Sequence, residues 1–196
     1  MEPRTSNLLD EAIGFHGHDK PDPLSGRFVL VEDCIETSGA FVLHHLLKRF
    51  LSSHPASVVI FLAFNHPFAH YDRILRKLGC NLASQRDNSR FFFVDMLMLQ
   101  CPGENNEDST FVALDHKDIY LNGERPILIL EMEYLADILI KVEPLATGLA
   151  KDVHGQLTVM NKGAQNPRTI PSIKIRNFHF RIKENGTEYF YAGTKT

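Results

Sequence analysis

The chain has 196 residues, 43% of them hydrophobic and 23% charged, with a net charge of -3. That length and balance suit one globular domain with a sizeable core. No apolar run approaches the ~18 residues of a membrane span, and the start, MEPRTSNLLDEAIGF, is acidic without a secretory apolar stretch, so membrane and secreted classes are set aside.

Residues 1–25 read as a short helix, from Ser6 to about Phe15, and a Pro/Gly/Asp-rich loop, HGHDKPDPLSG. RFVLV (27–31) reads as a buried strand. Residues 40–51 form a helical pattern, with Val42, Leu43, Leu46, Leu47, Phe50 and Leu51 on one side and His44, His45, Lys48 and Arg49 on the other. SVVIFLAF (57–64) is a second buried strand. FAHYDRILRKLG (68–79) is a second helix, begun by Pro67 and stopped by Gly79. RFFFVDMLML (90–99) is a third strand, so the order is β-α-β-α-β, the pattern of a parallel sheet.

The pattern then breaks. QCPGENNEDST (100–110) is polar, without helical period, and runs straight into FVALDHKDIY. A parallel crossover is usually made by a helix. Either the next strand is not parallel or an element is missing. Residues 100–112 are expected to be a polar loop, with an exposed apolar patch near FFFVDMLML. Beyond it, PILILEMEYL (126–135) fits a helix by length, while ADILIKVEPL (136–145) and GQLTVMNKG (155–163) read as strands. FHFRIK and TEYFYA flank Asn185-Gly186, a strong hairpin signal. A two-residue loop there sets Lys183 opposite Glu188, Ile182 opposite Tyr189 and Phe180 opposite Tyr191. Ile173 and Ile175 fall out of phase with Phe178 and Phe180, and a bulge near Asn177 would restore one face.

Charge is unevenly distributed. Residues 141–196 carry nine Lys/Arg against four Asp/Glu, and residues 1–140 carry 12 against 20. The basic end suits nucleic acid, an acidic partner subunit or simply a solvated strand face. Cys34, Cys80 and Cys101 form no CxxC pair and no disulfide framework, which points to a reducing compartment and buried thiols.

The stretch VLVEDCIETSGAFVLHHLLKRF (29–50) has the outline of a phosphate-binding loop: strand, turn, glycine, helix. Such a loop needs glycines to curl its N–H groups round a phosphate, a Lys to meet the charge and a hydroxyl for Mg²⁺. With Gly39 as the second glycine, Cys34 stands for the first, Ala40 for the Lys and Phe41 for the hydroxyl, with Thr37 and Ser38 between. Glu32, Asp33 and Glu36 add charge of the wrong sign. No catalytic residue, cofactor or metal is assigned. His16, His18 and Asp19 lie in a loop without companion ligands. His66 and His70 lack the motif glutamate of a zinc helix. His44 and His45 need no functional explanation.

Two further stretches go beyond pattern. DCIETSGAFVLHHLLKRFL and EPLATGLAKDVHGQLTVMNKG closely resemble the Elongator complex protein 6 family, as does FNHPFAHYDRILRKLGCNLAS between them. The resemblance covers residues 24–99 and 113–196 and is to the plant version in its details. It implies a RecA-like fold, that is, a degenerate P-loop NTPase with a mostly parallel sheet and, here, a C-terminal hairpin, in one domain spanning 1–196. It also implies an inactive ATPase-like subunit that forms a heterohexameric ring with Elongator subunits 4 and 5. Through the ring it would bind tRNA and the catalytic core, and support 5-methoxycarbonylmethyl-type modification of wobble uridines in the cytoplasm and the nucleus. Asp152, His154, Gly155 and Gln156 match the family's DVHGQL. Their role is open, a strand entry with Gly155 at a turn being the simplest reading. The family's usual chain is longer, with a further βα portion between the counterparts of RFFFVDMLML and LDHKDIY. The rival readings are a truncated variant without assembly competence and an independent nucleotide-binding enzyme.

Overall fold

The computed structural model describes residues 7–15, 24–53, 56–96, 109–116, 127–148, 150, 152–163, 173–184 and 186–193, with residues 109–116 described as backbone. The first helix, α1 (Leu8–Ile13), is capped by the Asn7 side chain, which accepts from the Leu9 N–H. There follow β1 (Phe28–Asp33), α2 (Ala40–Ser53), β2 (Val58–Ala63), α3 (Phe68–Lys77), α4 (Leu82–Asp87) and β3 (Phe91–Asp95). Pro67 precedes α3, and Gly79 follows it at φ 85°. The remaining elements are β4 (Ser109–His116), α5 (Ile127–Leu135), β5 (Ile138–Glu143), β6 (Gly155–Asn161), β7 (Lys174–Lys183) and β8 (Gly186–Phe190).

One eight-stranded sheet has the order β3-β2-β4-β1-β5-β6-β7-β8. The first five strands in that order are parallel, and β6 to β8 continue it as an antiparallel meander. Alternate residues of each strand face opposite layers. Val29, Val31, Phe61, Phe91, Ile140, Val159, Phe178 and Phe180 face α1 to α4 and form the main core. Leu30, Leu139 and partly buried Met160 face the other way, against Ile129 and Met132 of α5.

Of the two alternatives at the break, a non-parallel strand is excluded: β4 pairs parallel with both β1 and β2, so neither lacks a backbone partner there. Two expectations are corrected. β4 already begins at Ser109, inside the stretch read as a polar loop, and residues 100–108 lie outside the described part. The patch expected on the third strand is absent among its described residues, since Phe91 and Val94 are buried and Phe92 and Phe93 half-buried; exposed apolar side chains gather on α5 instead.

The hairpin forms two residues out of the expected register. Phe180 pairs with Tyr189, Arg181 with Glu188 and Lys183 with Gly186, so Gly186 lies in the strand and not in the turn. A shift of two preserves which face each side chain takes. The Lys183–Glu188 ion pair still forms, across a diagonal, at 2.6 Å. No bulge occurs near Asn177: β6 and β7 pair without interruption, and Ile173 and Ile175 stay exposed.

Candidate functional site

The degenerate phosphate loop lies where β1 hands over to α2. Cys34 and Thr37 form an isolated antiparallel bridge, with the Thr37 N–H donating to the Cys34 carbonyl at 3.1 Å, so Ile35-Glu36 is a tight turn. A wide loop curling round a phosphate is replaced by this short one. The Gly39 N–H, which a phosphate would need, donates to the buried Asp33 carboxylate at 2.6 Å. The Ala40 N–H donates to Ser38 Oγ at 3.2 Å. A helix N-terminus attracts anions through such free N–H groups. Here one of them is held by a carboxylate of the chain itself.

Gly39 is a glycine for a different reason. A Cβ there would meet Asp33 Cβ, Val142 Cγ2 and Val31 Cγ1, each at 3.2 Å. The start of α2 rests on β1 and β5 so closely that a methyl group would crowd all three side chains. The sequence signature of a phosphate loop thus persists as a packing requirement.

The acids near the loop separate. Asp33 turns onto Gly39, Glu36 is exposed at the turn, and Glu32 points through the sheet to the opposite layer. The sequence-based grouping of all three around one phosphate position is therefore corrected, because neighbouring strand residues face opposite sides. Glu32 lies 3.2 Å from Lys141 Nζ. Burial, with help from a hydrogen bond to Glu133, pushes its carboxyl up to about 7 despite Lys141.

Beside the loop, the ends of the strands are filled by rings. Tyr71, 1% exposed, meets Phe61 edge-on at 4.8 Å and His70 at 5.4 Å. Burial, then the charges of Asp33 and Asp95, push its hydroxyl up to about 12. His44 is not simply on a polar helix side: it turns toward Tyr71, and burial, then His70, lowers it to about 4. His45 bonds Asp10 at 2.7 Å, and His66 stacks on His70 at 4.0 Å. Among the described residues no group of His, Cys, Asp and Glu is arranged to hold a metal ion. His16, His18 and Asp19 lie outside the described residues, as does Cys101, while Cys34 and Cys80 are buried.

The DVHGQL residues act together at the mouth of β6. Asp152 pairs with Arg181 at 3.0 Å. His154 accepts the Ile182 N–H on Nδ1 at 3.0 Å, and its own N–H donates to the Phe180 carbonyl at 2.9 Å. Gly155 is the first strand residue rather than a turn with positive φ. A Cβ there would lie 2.7 Å from the Glu143 carbonyl and 2.8 Å from the Phe180 ring. Gln156 pairs in register with Glu143 and His179. Sequence reading found these residues but not their task, which is to fasten β7 to β6.

The family model for Elongation complex protein 6 matches residues 16–110. The mouse Elongator complex protein 6 is 32% identical over 271 aligned positions that take in 98% of each chain. The chain belongs to the Elongator complex protein 6 family. A second relative, from Xenopus laevis, is 36% identical over 72 residues, which make up 37% of this chain and 26% of that protein. Among solved structures, an uncharacterized Pyrococcus horikoshii protein in complex with an unknown peptide has a TM-score of 0.57 at 12% identity, covering 95% of this chain and 97% of its own. A KaiC-like protein from Pyrococcus horikoshii OT3 has a TM-score of 0.50 at 12% identity, covering 85% and 90%. At such identities the likeness concerns the fold alone, and that fold is RecA-like. This member of the Elongator complex protein 6 family keeps the architecture with the Gly39 N–H at the start of α2 held by Asp33. Its basic C-terminal excess is partly used internally, since Lys141, Arg181 and Lys183 sit in ion pairs. No helix of the described residues is long and apolar enough to cross a membrane.

Proposed function

We propose that the chain is a non-catalytic subunit of the Elongator complex. It joins subunits 4 and 5 in a hetero-oligomeric ring, meets tRNA and the catalytic core through that ring, and supports wobble-uridine modification in the cytoplasm and nucleus. The observation that carries this reading is the closed α2 N-terminus, where Asp33 holds the Gly39 N–H at 2.6 Å. A phosphate brought there would meet a carboxylate instead of a free donor. A RecA-like family member with that site filled by its own side chain offers surfaces rather than nucleotide chemistry. Co-expression with Elongator subunits 4 and 5, followed by gel filtration and tRNA binding, tests it. Co-elution as a tRNA-binding assembly is expected.

A second reading has its own support. The mouse alignment spans 271 positions against 196 residues here, so at least 75 family positions within it have no residue in this chain. A chain that folds yet elutes apart from subunits 4 and 5 would be a truncated variant without assembly competence.

A further inference from the structure

Glu32 is an acid on a central strand. β1 lies between β4 and β5, and Glu32 near its end is 0% exposed. Burying a lone carboxylate is costly, so its surroundings must supply a counter-charge or a proton. Three elements make those surroundings. On β5, Lys141 is its register partner, with Nζ at 3.2 Å. On α5, Glu133 lies 4.0 Å from the same ammonium and hydrogen-bonds Glu32. On β4 the register partner is a further acid, Asp115. Lys162, the next cation, is engaged by the end of α5, where its Nζ donates to the Glu133 and Tyr134 carbonyls at 2.8 and 3.0 Å.

One ammonium therefore faces two close carboxyl groups, whose side chains are 1% and 20% exposed. A hydrogen bond between two carboxyl groups needs a proton on one of them. With that proton the three groups are neutral together. Without it they hold one excess negative charge in a largely buried place, where like charges repel strongly. The two acids are not equally free to relieve that repulsion. Glu32 belongs to a strand paired on both sides. Glu133 belongs to a nine-residue helix that buries Ile129 and Met132. The helix gives way before the strand, because moving Glu133 toward water breaks no sheet ladder.

We infer that Glu32 and Glu133 share one proton over Lys141, and that this proton is a latch seating α5 on β1 and β5. Its loss loosens α5 while the sheet stays formed. The inference does not depend on the ring.

Hydrogen exchange of the full chain tests this, with rates corrected for the intrinsic pH dependence of amide exchange. The amides of residues 131–136 are those that the helical bonds of α5 protect. The Glu32 carboxyl is raised from 4.5 to about 7, so α5 opening should grow about 20-fold from about pH 5.5 to about pH 7.5, most of it below 7. Amides of β1 and β5 should stay better protected than those of α5 throughout, since the opening is local. Glu32→Gln puts a neutral donor in place of the protonated acid and should keep α5 as protected at the higher pH as at the lower. Glu133→Gln removes the second charge and should also abolish the pH dependence. A corrected α5 exchange that does not change with pH in the parent overturns the inference, and this result needs neither variant to fold. A rise that survives both substitutions, or α5 amides that exchange only together with those of β1 and β5, refutes it as well.

Discussion

Gly155→Ala is the most searching test of the close packing around the family motif. The added methyl would sit 2.7 Å from the Glu143 carbonyl and 2.8 Å from the Phe180 ring. Comfortable contacts lie near ~3.5–4.0 Å, so about 1 Å of movement is required on two sides. The carbonyl belongs to β5, where Glu143 pairs with Gln156, and cannot retreat without loosening that ladder. Phe180 is fully buried and packs on Phe41 at 4.7 Å. Overpacking of this kind costs about 1–3 kcal/mol, and a backbone neighbour places Gly155→Ala toward the upper end. Gly39→Ala, whose neighbours are side chains at 3.2 Å, should cost less. Urea denaturation of both variants, with slopes compared to confirm two-state unfolding, gives the numbers. Phe180→Leu in the Gly155→Ala background should recover part of the loss relative to additivity. A Gly155→Ala protein within ~0.5 kcal/mol of the parent, or one less affected than Gly39→Ala, would refute the reasoning.

Other outcomes are equally specific. Gly186 opens β8 at φ 143°, so Gly186→Val should lose about 1 kcal/mol or more in denaturant melts, since a β-branched side chain resists positive φ. Glu32 has its pKa raised to about 7, so between about 4.5 and 7 the folded chain holds a proton that the unfolded chain releases, and stability falls as pH rises. Glu32→Gln should remove that slope, so variant-minus-parent stability should rise across this window in melts taken at several pH values. His44, lowered to about 4, acts in the opposite sense: its stabilising contribution grows as pH rises from about 4 to about 6.5, and His44→Gln should flatten that rise in the same melts. The purified chain should hydrolyse no ATP, and turnover that disappears when residues 34–41 are scrambled would contradict the closed loop.

Much of the architecture was legible in the residues. VLV, VVIFLA and ILIKV are uncharged or nearly so over their buried lengths, and such runs have few alternatives to a covered parallel strand. The absence of a Lys and a hydroxyl at Ala40 and Phe41, with the acids before Gly39, was likewise legible as a departure from the phosphate-loop pattern. α4 was missed because LASQRD is short and polar, and its start depends on the Asn81 side chain reaching the Ser84 N–H. The hairpin register slipped by two because both registers put the same side chains on the same faces, leaving local pattern with no means to choose.

What the sequence by itself determined is most of the elements, the family and the loss of phosphate-binding residues, since each depends on residue type and short-range order. Only the tertiary structure decided that Gly39 and Gly155 are steric necessities, because the atoms they avoid belong to strands distant in sequence. It alone sent Glu32 to one layer and Asp33 to the other, closed the sheet across the break with β4, and left apolar side chains of α5 exposed among the described residues. A chain records which side chains are apolar. Which of them find a neighbour depends on strand order and crossover hand, and these are set by the packing of whole layers.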